Sequence, residues 1–235
     1  MLYILSIEYT SIGKNDLKIS KFALGTWPFA GGELWGHQDD NDSIETVMKC
    51  YENGINFFDT APGYGDGRSE EVLGKAIKNI RNSVIIGTKI PPADLGKKNL
   101  SISVEKSLKR LGTDYIDLMQ IHWPNHDIPI DETTNELENL IKSGKIKEIG
   151  VSNFGLKDMT EILDELAIVT NQLPYNAFWR AIEHDIKPFC IKKAFMKVYI
   201  KICLFLLQGR RTNLFQISIK ISLLITGCIG FCRVM

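Results

Sequence analysis

The last 45 residues lack two kinds of residue that the rest of the chain uses freely. Residues 191–235 contain no aspartate, glutamate or proline, although they carry eight lysines and arginines. The first 190 residues hold all 28 acidic side chains and 20 basic ones, so a body of net charge −8 precedes a basic tail in a formally neutral chain of 235 residues. That neutrality argues against a nucleic-acid-binding protein, because phosphate contacts need a concentrated positive surface.

Cysteines, export signals and long apolar runs are scarce as well. The five cysteines comprise Cys50 and four from Cys190 onward, an odd and uneven set that does not resemble a disulfide framework and favours a reducing compartment. The N-terminal MLYILSI lacks the basic start and cleavage site of an export signal. The longest apolar run of the tail, residues 221–232, is shorter than the roughly 20 residues of a membrane span. The sequence predicts a cytoplasmic protein without a transmembrane helix.

Short apolar strands alternate with amphipathic helices along the body of the chain. A hairpin is predicted first (residues 7–12 and 17–19), and strands follow at residues 22–24, 55–58, 84–88, 116–121, 146–151 and 168–171. The first helix is predicted to begin at Asp42, with Glu45 completing a capping box, and to end at Gly54. Consecutive βα units imply parallel strands, which leaves a doubly wound sheet or a (β/α)8 barrel.

The spacing of the glycines separates these two architectures. A dinucleotide-binding doubly wound domain needs a glycine-rich turn after its first strand, because backbone must approach the pyrophosphate closely. Gly25, Gly31 and Gly32 do not have that spacing, and the pair Gly63 and Gly65 is followed by Arg68 where the third glycine is required. The spacing therefore favours the barrel.

Polar residues stand at the ends of most predicted strands. They are Asp59, Lys89, His122, Ser152 with Asn153, and Gln172, and the loop after Asp59 carries Tyr64. Each alone has an ordinary structural explanation, since such residues commonly cap turns or end strands. In a closed barrel, however, the C-terminal ends of all strands converge on the face where enzymes of this architecture hold their active sites. The coincidence of an acid, a phenol, an ammonium and an imidazole predicts a catalytic site at that face.

Several long motifs in these same segments make the chain resemble the aldo-keto reductases, most closely the bacterial NADPH-dependent branch. The motifs are GTW at 25–27, GINFFDTAPGYG at 54–65 followed by SEEVLGKA, TK at 88–89, DYIDLMQIHWP at 114–124 and GVSNF at 150–154. The resemblance covers about residues 8–190. It implies a (β/α)8 TIM-barrel fold and the reduction of aldehydes or ketones with NAD(P)H.

The resemblance also implies a catalytic set of four residues. Carried over by motif, they are Asp59, Tyr64, Lys89 and His122. A phenol has a reference pKa near 10 and donates well to a developing alkoxide when a nearby positive charge lowers that value. Tyr64 is then the expected proton donor, Lys89 stabilises the phenolate, Asp59 holds Lys89, and His122 orients the carbonyl.

The cofactor implied by the resemblance is NADPH, with NADH as the other nicotinamide candidate. Ser152, Asn153 and Gln172 are expected to bind its carboxamide, with the backbone of Gly25, Thr26 and Trp27 beneath it. Trp27 and Trp123 are candidates for the wall of a small-molecule carbonyl site, and simple packing of these aromatics is the alternative. The four histidines show no metal-ligand spacing, so no metal is expected.

The likeness ends near residue 190, where none of the family's remaining motifs occurs. We expect residues 1–190 to form the barrel portion with its hairpin, about six βα units of an incomplete barrel, and residues 191–235 to be an atypical tail outside the natively structured body. Two interpretations of the tail stay open. One is out-of-frame translation of a frameshifted or truncated gene; the other is a divergent terminus that closes the barrel with strands in 198–207 and 217–225.

The tail also leaves an alternative to the expected reductase activity. A catalytically impaired truncated reductase, or a regulatory protein that binds the cofactor without turning over, would share the same residues 1–190.

Overall fold

A computed structural model describes residues 7–175, 179–193, 197–201 and 230–234, the last two ranges by their backbone alone. The strands are β1 (Tyr9–Ile12), β2 (Leu17–Ser20), β3 (Phe22–Gly25), β4 (Phe57–Asp59), β5 (Ile85–Ile90), β6 (Ile116–Ile121), β7 (Ile146–Ser152), β8 (Thr170–Pro174), β9 (Lys197–Lys201) and β10 (Gly230–Val234). The α-helices are α1 (Gly32–Trp35), α2 (Asp40–Glu52), α3 (Arg68–Ile77), α4 (Lys97–Leu111), α5 (Ile130–Lys142), α6 (Leu156–Glu165) and α7 (Ile186–Lys192).

Eight of the strands close into a barrel. Strands β3 to β9 pair in chain order and run parallel, and β10 lies antiparallel between β9 and β3. Six βα units, from β3–α2 to β8–α7, precede the closing strands. The predicted (β/α)8-type fold with about six regular units is confirmed. The departure lies in the closing strand, which runs antiparallel where a regular barrel has an eighth parallel strand.

The tail supplies both closing strands. β9 begins one residue before the predicted strand 198–207, whose part beyond Lys201 lies outside the described residues, as does all of the predicted strand 217–225. β10 pairs Cys232 with Ala23 on one side and with Lys201 on the other. The division of the chain at residue 190 stays a prediction.

The hydrophobic core has two parts. The larger one lies between strands and helices, where apolar faces such as Val72, Leu73 and Ile77 of α3 meet the outward side chains of the barrel. The smaller one lies inside the barrel at the N-terminal ends of its strands, where Ile12 and Ile19 of the β1–β2 hairpin pack on Phe57, Leu118 and Val169, among others. The hairpin therefore covers this end of the barrel and leaves the opposite end for a site.

The start of α2 differs from the sequence prediction. The helix begins at Asp40, and the side chain of Asp39 accepts hydrogen bonds from the backbone N–H groups of Asn41 (2.7 Å) and Asp42 (3.3 Å). The predicted capping box at Asp42 and Glu45 is wrong, because Asp42 already lies in the first turn. The predicted end is correct, since Gly54 follows the helix with φ of +90°.

No helix within the described part of the chain is long and apolar enough to cross a membrane.

Candidate active site

The C-terminal rim of the barrel brings an ammonium, a carboxylate and a phenol into direct contact. Lys89 Nζ lies 2.9 Å from Asp59 Oδ1 and 3.3 Å from the hydroxyl oxygen of Tyr64. Asp59 ends β4 and Lys89 lies on the neighbouring strand β5, while Tyr64 follows in the turn between β4 and α3. Strand pairing thus brings together residues 30 positions apart.

The ammonium of Lys89 is fully bonded within this site. Its third hydrogen bond goes to the backbone carbonyl of Thr60, at 2.8 Å. Lys89 and Asp59 are each 1% exposed and Tyr64 is 4% exposed. A buried charge is tolerated only when it is paired and hydrogen-bonded, and three acceptors around one ammonium meet that condition.

Aromatic rings surround the phenol of Tyr64. The ring of Trp27 stacks on it with centroids 5.7 Å apart, and His122 approaches edge-on with centroids 6.1 Å apart. Trp35 meets Trp27 at a steep angle, 5.5 Å away. The structure therefore brings all four predicted catalytic residues, and Trp27, into one cluster.

Trp123, the other residue predicted for the wall of the substrate site, lies outside this cluster. Trp123 is 52% exposed and makes no ring contact with any residue that the structure describes. It follows His122, just beyond the end of β6. Its role at a substrate site stays a prediction.

Three of the residues predicted to hold the cofactor, Ser152, Asn153 and Gln172, lie together on the β7–β8 rim, at the C-terminal ends of these two strands. The Ser152 hydroxyl donates to the Gln172 carbonyl at 3.1 Å, and Asn153 Nδ2 donates to the His122 carbonyl at 2.9 Å. Asn153 has a positive φ of +63°, a conformation that asparagine tolerates better than most residues. Asn153 Oδ1 accepts no hydrogen bond from the described residues, so a half-buried acceptor remains at this rim.

Gly25 ends β3, and Thr26 and Trp27 follow it beside the end of β4. The N–H of Thr26 donates to the Asp59 carbonyl at 2.8 Å, and its side chain is fully buried. Only Trp27, which is half-buried, exposes part of its side chain in this segment.

Three buried polar residues at the site were missed from the sequence. Gln120 Nε2 donates to Asp59 Oδ1 at 3.4 Å, and the hydroxyls of Thr60 and Ser69 lie 3.0 Å apart behind the Lys89–Asp59 pair. Gln120 lies in β6, IDLMQI, where every residue is buried. A single amide within such a strand has no sequence pattern that marks it as part of a site. Ser69 had one available signal, because it lies three and four residues before Val72 and Leu73 on the buried face of α3.

No group of three or more histidine, cysteine, aspartate or glutamate side chains suited to a metal ion occurs among residues 7–175 and 179–193.

Comparison with known sequences identifies relatives over most of the chain. A profile described as "Aldo/keto reductase family" matches residues 21–201. Aldo-keto reductase YhdN of Bacillus subtilis is 42% identical over 221 residues, covering 88% of this chain and 66% of the relative. NADH-specific methylglyoxal reductase of Escherichia coli is 35% identical over 204 residues, covering 76% of this chain and 62% of the relative. The chain thus spans a little under two thirds of these relatives' length.

Solved structures show the same architecture. The thermostable aldo-keto reductase Tm1743 superposes with a TM-score of 0.76 at 36% identity, covering 82% of this chain and 71% of that one. An aldo/keto reductase from Klebsiella pneumoniae in complex with NADP and acetate superposes with a TM-score of 0.73 at 32% identity, covering 81% and 67%. Sequence profile, relatives and barrel geometry agree, and the chain belongs to the aldo/keto reductase family.

Proposed function

We propose that this chain reduces an aldehyde or ketone to an alcohol with a nicotinamide cofactor, NADPH or alternatively NADH. The observation that carries the proposal is the buried contact of the Lys89 ammonium with both Asp59 and the Tyr64 hydroxyl. Support also comes from relatives, one crystallised with NADP and another named as NADH-specific.

The residues at the β7–β8 rim fit the carboxamide of a nicotinamide. A carboxamide both donates and accepts hydrogen bonds, and this rim offers hydroxyl and amide groups of both kinds. Asn153 Oδ1, which accepts nothing from the described residues, is suited to receive the carboxamide N–H, with Ser152 and Gln172 beside it. When bound, the cofactor supplies a hydride to the carbonyl carbon.

Tyr64 supplies the proton that completes the reduction. Its hydroxyl donates to the carbonyl oxygen as negative charge develops there, so one C–H bond and one O–H bond form as the C=O double bond becomes single. The phenolate left on Tyr64 lies 3.3 Å from the Lys89 ammonium, which stabilises it. Asp59 and the Thr60 carbonyl keep the ammonium in place.

His122 is placed to orient the substrate oxygen. Its ring lies edge-on to Tyr64, and the chain is fixed there because the His122 N–H donates to the Ile90 carbonyl at 3.0 Å. Trp27 stacks on the Tyr64 ring, and this contact would limit access of water to the phenol. Proton transfer in a site with little water benefits from fixed dipoles that need no reorganisation.

Tyr64→Phe is expected to lower turnover at least about 100-fold, because general-acid catalysis contributes about that much or more. NADPH binding, measured by fluorescence titration, should change little, since the phenol hydroxyl is the single group removed. Tyr115→Phe is the matched control, because its hydroxyl lies elsewhere, 3.3 Å from Asn82 Oδ1.

Purified wild-type protein assayed with NADPH and a panel of aldehydes separates the proposal from its alternative. Cofactor binding without oxidation of NADPH by any aldehyde would favour the catalytically impaired or regulatory protein. Unchanged rates in Tyr64→Phe would refute the role given to Tyr64.

A further inference from the structure

A cluster of three buried hydroxyls lies directly behind the Asp59–Lys89 pair. It consists of Thr26 after β3, Thr60 after β4 and Ser69 near the start of α3, and each of the three residues is 0% exposed. The Ser69 oxygen lies 2.7 Å from the Thr26 hydroxyl and 3.0 Å from the Thr60 hydroxyl, and it donates to the Thr26 carbonyl at 2.8 Å. Ser69 therefore joins two strand ends to one helix.

Both threonine partners of Ser69 are hydrogen-bonded to the Lys89–Asp59 pair. The Thr60 carbonyl accepts from Lys89 Nζ at 2.8 Å, and the Thr26 hydroxyl donates to the Asp59 carbonyl at 3.0 Å. The backbone N–H of Ser69 donates to the Tyr64 carbonyl at 3.2 Å. One serine thus contacts the backbone of the proton donor, a threonine that holds the ammonium, and a threonine that holds the Asp59 backbone.

We propose that Ser69 is a positioning residue, which fixes Lys89 against the Tyr64 phenol by clamping the ends of β3 and β4 to α3; this inference rests on the proposed reductase function. In a packed interior a lost hydroxyl leaves its partners without a replacement from water, so Thr60 and Thr26 would shift to find new ones. A shift of Thr60 moves the carbonyl that holds Lys89.

The charge of Lys89 determines how readily the phenol ionises. Among the described residues, the charged or titratable groups near Tyr64 include Lys89 on β5, Asp59 on β4 and His122 after β6. A cation close to a phenol favours the phenolate, and a carboxylate opposes it. Weakening the hold on Lys89 should therefore make the Tyr64 phenolate form at higher pH.

The test compares Ser69→Ala with Ser20→Ala in the full chain. Ser20 is also 0% exposed; its hydroxyl donates to the Phe22 carbonyl at 2.6 Å and accepts from the Asn56 N–H at 3.2 Å, at the hairpin end of the barrel. Both variants lose a buried hydroxyl, but only Ser69 contacts the site. Ionisation of Tyr64 is measured from the ultraviolet absorbance of its phenolate, as the difference between each protein and the same protein carrying Tyr64→Phe.

We expect Ser69→Ala to move phenolate formation to higher pH and to lower kcat on the order of tenfold with little change in the KM for NADPH, because small displacements of reacting groups cost rate steeply. Ser20→Ala should do neither. Phenolate formation at the wild-type pH in Ser69→Ala would overturn the inference. The absorbance measurement needs no turnover. An inactive wild-type protein would therefore contradict the proposed function, while the absorbance comparison would still test the role of Ser69.

Thr60→Val provides the second variant where Ser69→Ala does not fold cooperatively. It removes the hydroxyl 3.0 Å from Ser69 while keeping the carbonyl that Lys89 uses. If Ser69 acts through Thr60, Thr60→Val should by itself move phenolate formation to higher pH. Where Ser69→Ala does fold, the double variant should show about the same pH shift as the larger single one, since directly coupled residues are not additive. Full additivity, or no shift in Thr60→Val, would contradict the proposed route.

Discussion

At the scale of single residues, the Lys89–Asp59 pair places two charges in the interior of the described barrel. Both side chains are withdrawn from water, with 1% and 2% of their side-chain surfaces exposed. Removing two charges from water costs several kcal/mol per ion, and only close pairing with further hydrogen bonds offsets that cost. Lys89 has its three acceptors, and Asp59 Oδ1 has Lys89 and the more distant Gln120 amide.

Lys89→Met is expected to lower the free energy of unfolding by about 3–5 kcal/mol, because it leaves the Asp59 carboxylate buried without its partner. Urea denaturation measures the change. The matched control is Lys142→Met, at a surface pair where Lys142 and Glu138 are 71% and 45% exposed, and the expected loss is below about 1 kcal/mol.

Adding Asp59→Asn to Lys89→Met should recover part of the lost stability, since the double variant no longer buries an unpaired charge. Equal stability of Lys89→Met and wild type would mean that water reaches Asp59, contrary to its burial.

At the scale of secondary-structure elements, α3 is the helix that organises the site. Its first turn carries Ser69 and Glu70, both 0% exposed, and Glu70 accepts from Thr88 on β5 and from Arg110 on α4, each at 2.6 Å. Gly74 allows close packing on α4, because a Cβ there would lie 2.7 Å from the carbonyl oxygens of Arg110 and Leu111. α3 is therefore held by contacts with both β5 and α4, in addition to those that Ser69 makes with the strand ends.

α2 is held at its start by a charge link to α3. Asp40 pairs with Arg68 at 2.9 Å and with Lys75 at 3.0 Å, and these hydrogen bonds, Arg68 first, lower the pKa of the Asp40 carboxyl below its ordinary value. The stabilisation is present above the ordinary pKa and is lost as pH falls through the lowered value. Arg68 also donates to the Gln38 carbonyl at 2.8 Å, so the loop between α1 and α2 is tied to α3.

The N-terminal cap of α2 can be tested, because the structure assigns it to Asp39 and the sequence pattern assigned it to Asp42. Asp39→Ala should destabilise the protein by about 1 kcal/mol, because its carboxylate accepts from two otherwise unpaired N–H groups at the helix start. Asp42→Ala should cost about 0.3 kcal/mol, the contribution of an acidic residue in the first turn. Denaturant midpoints of the two variants measure these losses of stability. A larger loss for Asp42→Ala than for Asp39→Ala would support the cap expected from the sequence.

At the scale of the whole molecule, closure of the barrel depends on the chain's last described strand. β10 pairs four residues with β3 and three with β9, both antiparallel. Without it, β3 and β9 would each present an unpaired edge, and exposed edges favour pairing with other chains. The backbone of β10, which lies beyond the residues that the family profile matches, therefore completes a sheet whose other strands all lie within residues 21–201.

Replacing residues 230–234 with a glycine–serine segment should lower the urea midpoint and cause concentration-dependent association, detected by sedimentation. Glycine weakens a strand, so both neighbouring edges lose their partner. Replacement with alternating threonine and valine is the matched control and should retain closure, because the pairing uses the backbone and these residues favour strands. Urea midpoints equal to that of the wild type in both replacements would show that β10 contributes nothing to the fold.

The sequence by itself determined the order of elements and which polar residues end the strands. Periodicity is local, so strands such as β6 and the residues Asp59, Lys89 and His122 could be placed without coordinates. Only the tertiary structure decided the three acceptors of Lys89, the buried hydroxyls around Ser69, the cap at Asp39 and the antiparallel closure by β10. The cap depends on which of two neighbouring carboxylates reaches the free N–H groups, and the other features depend on contacts between segments far apart in the chain. Neither leaves a periodic pattern in the sequence.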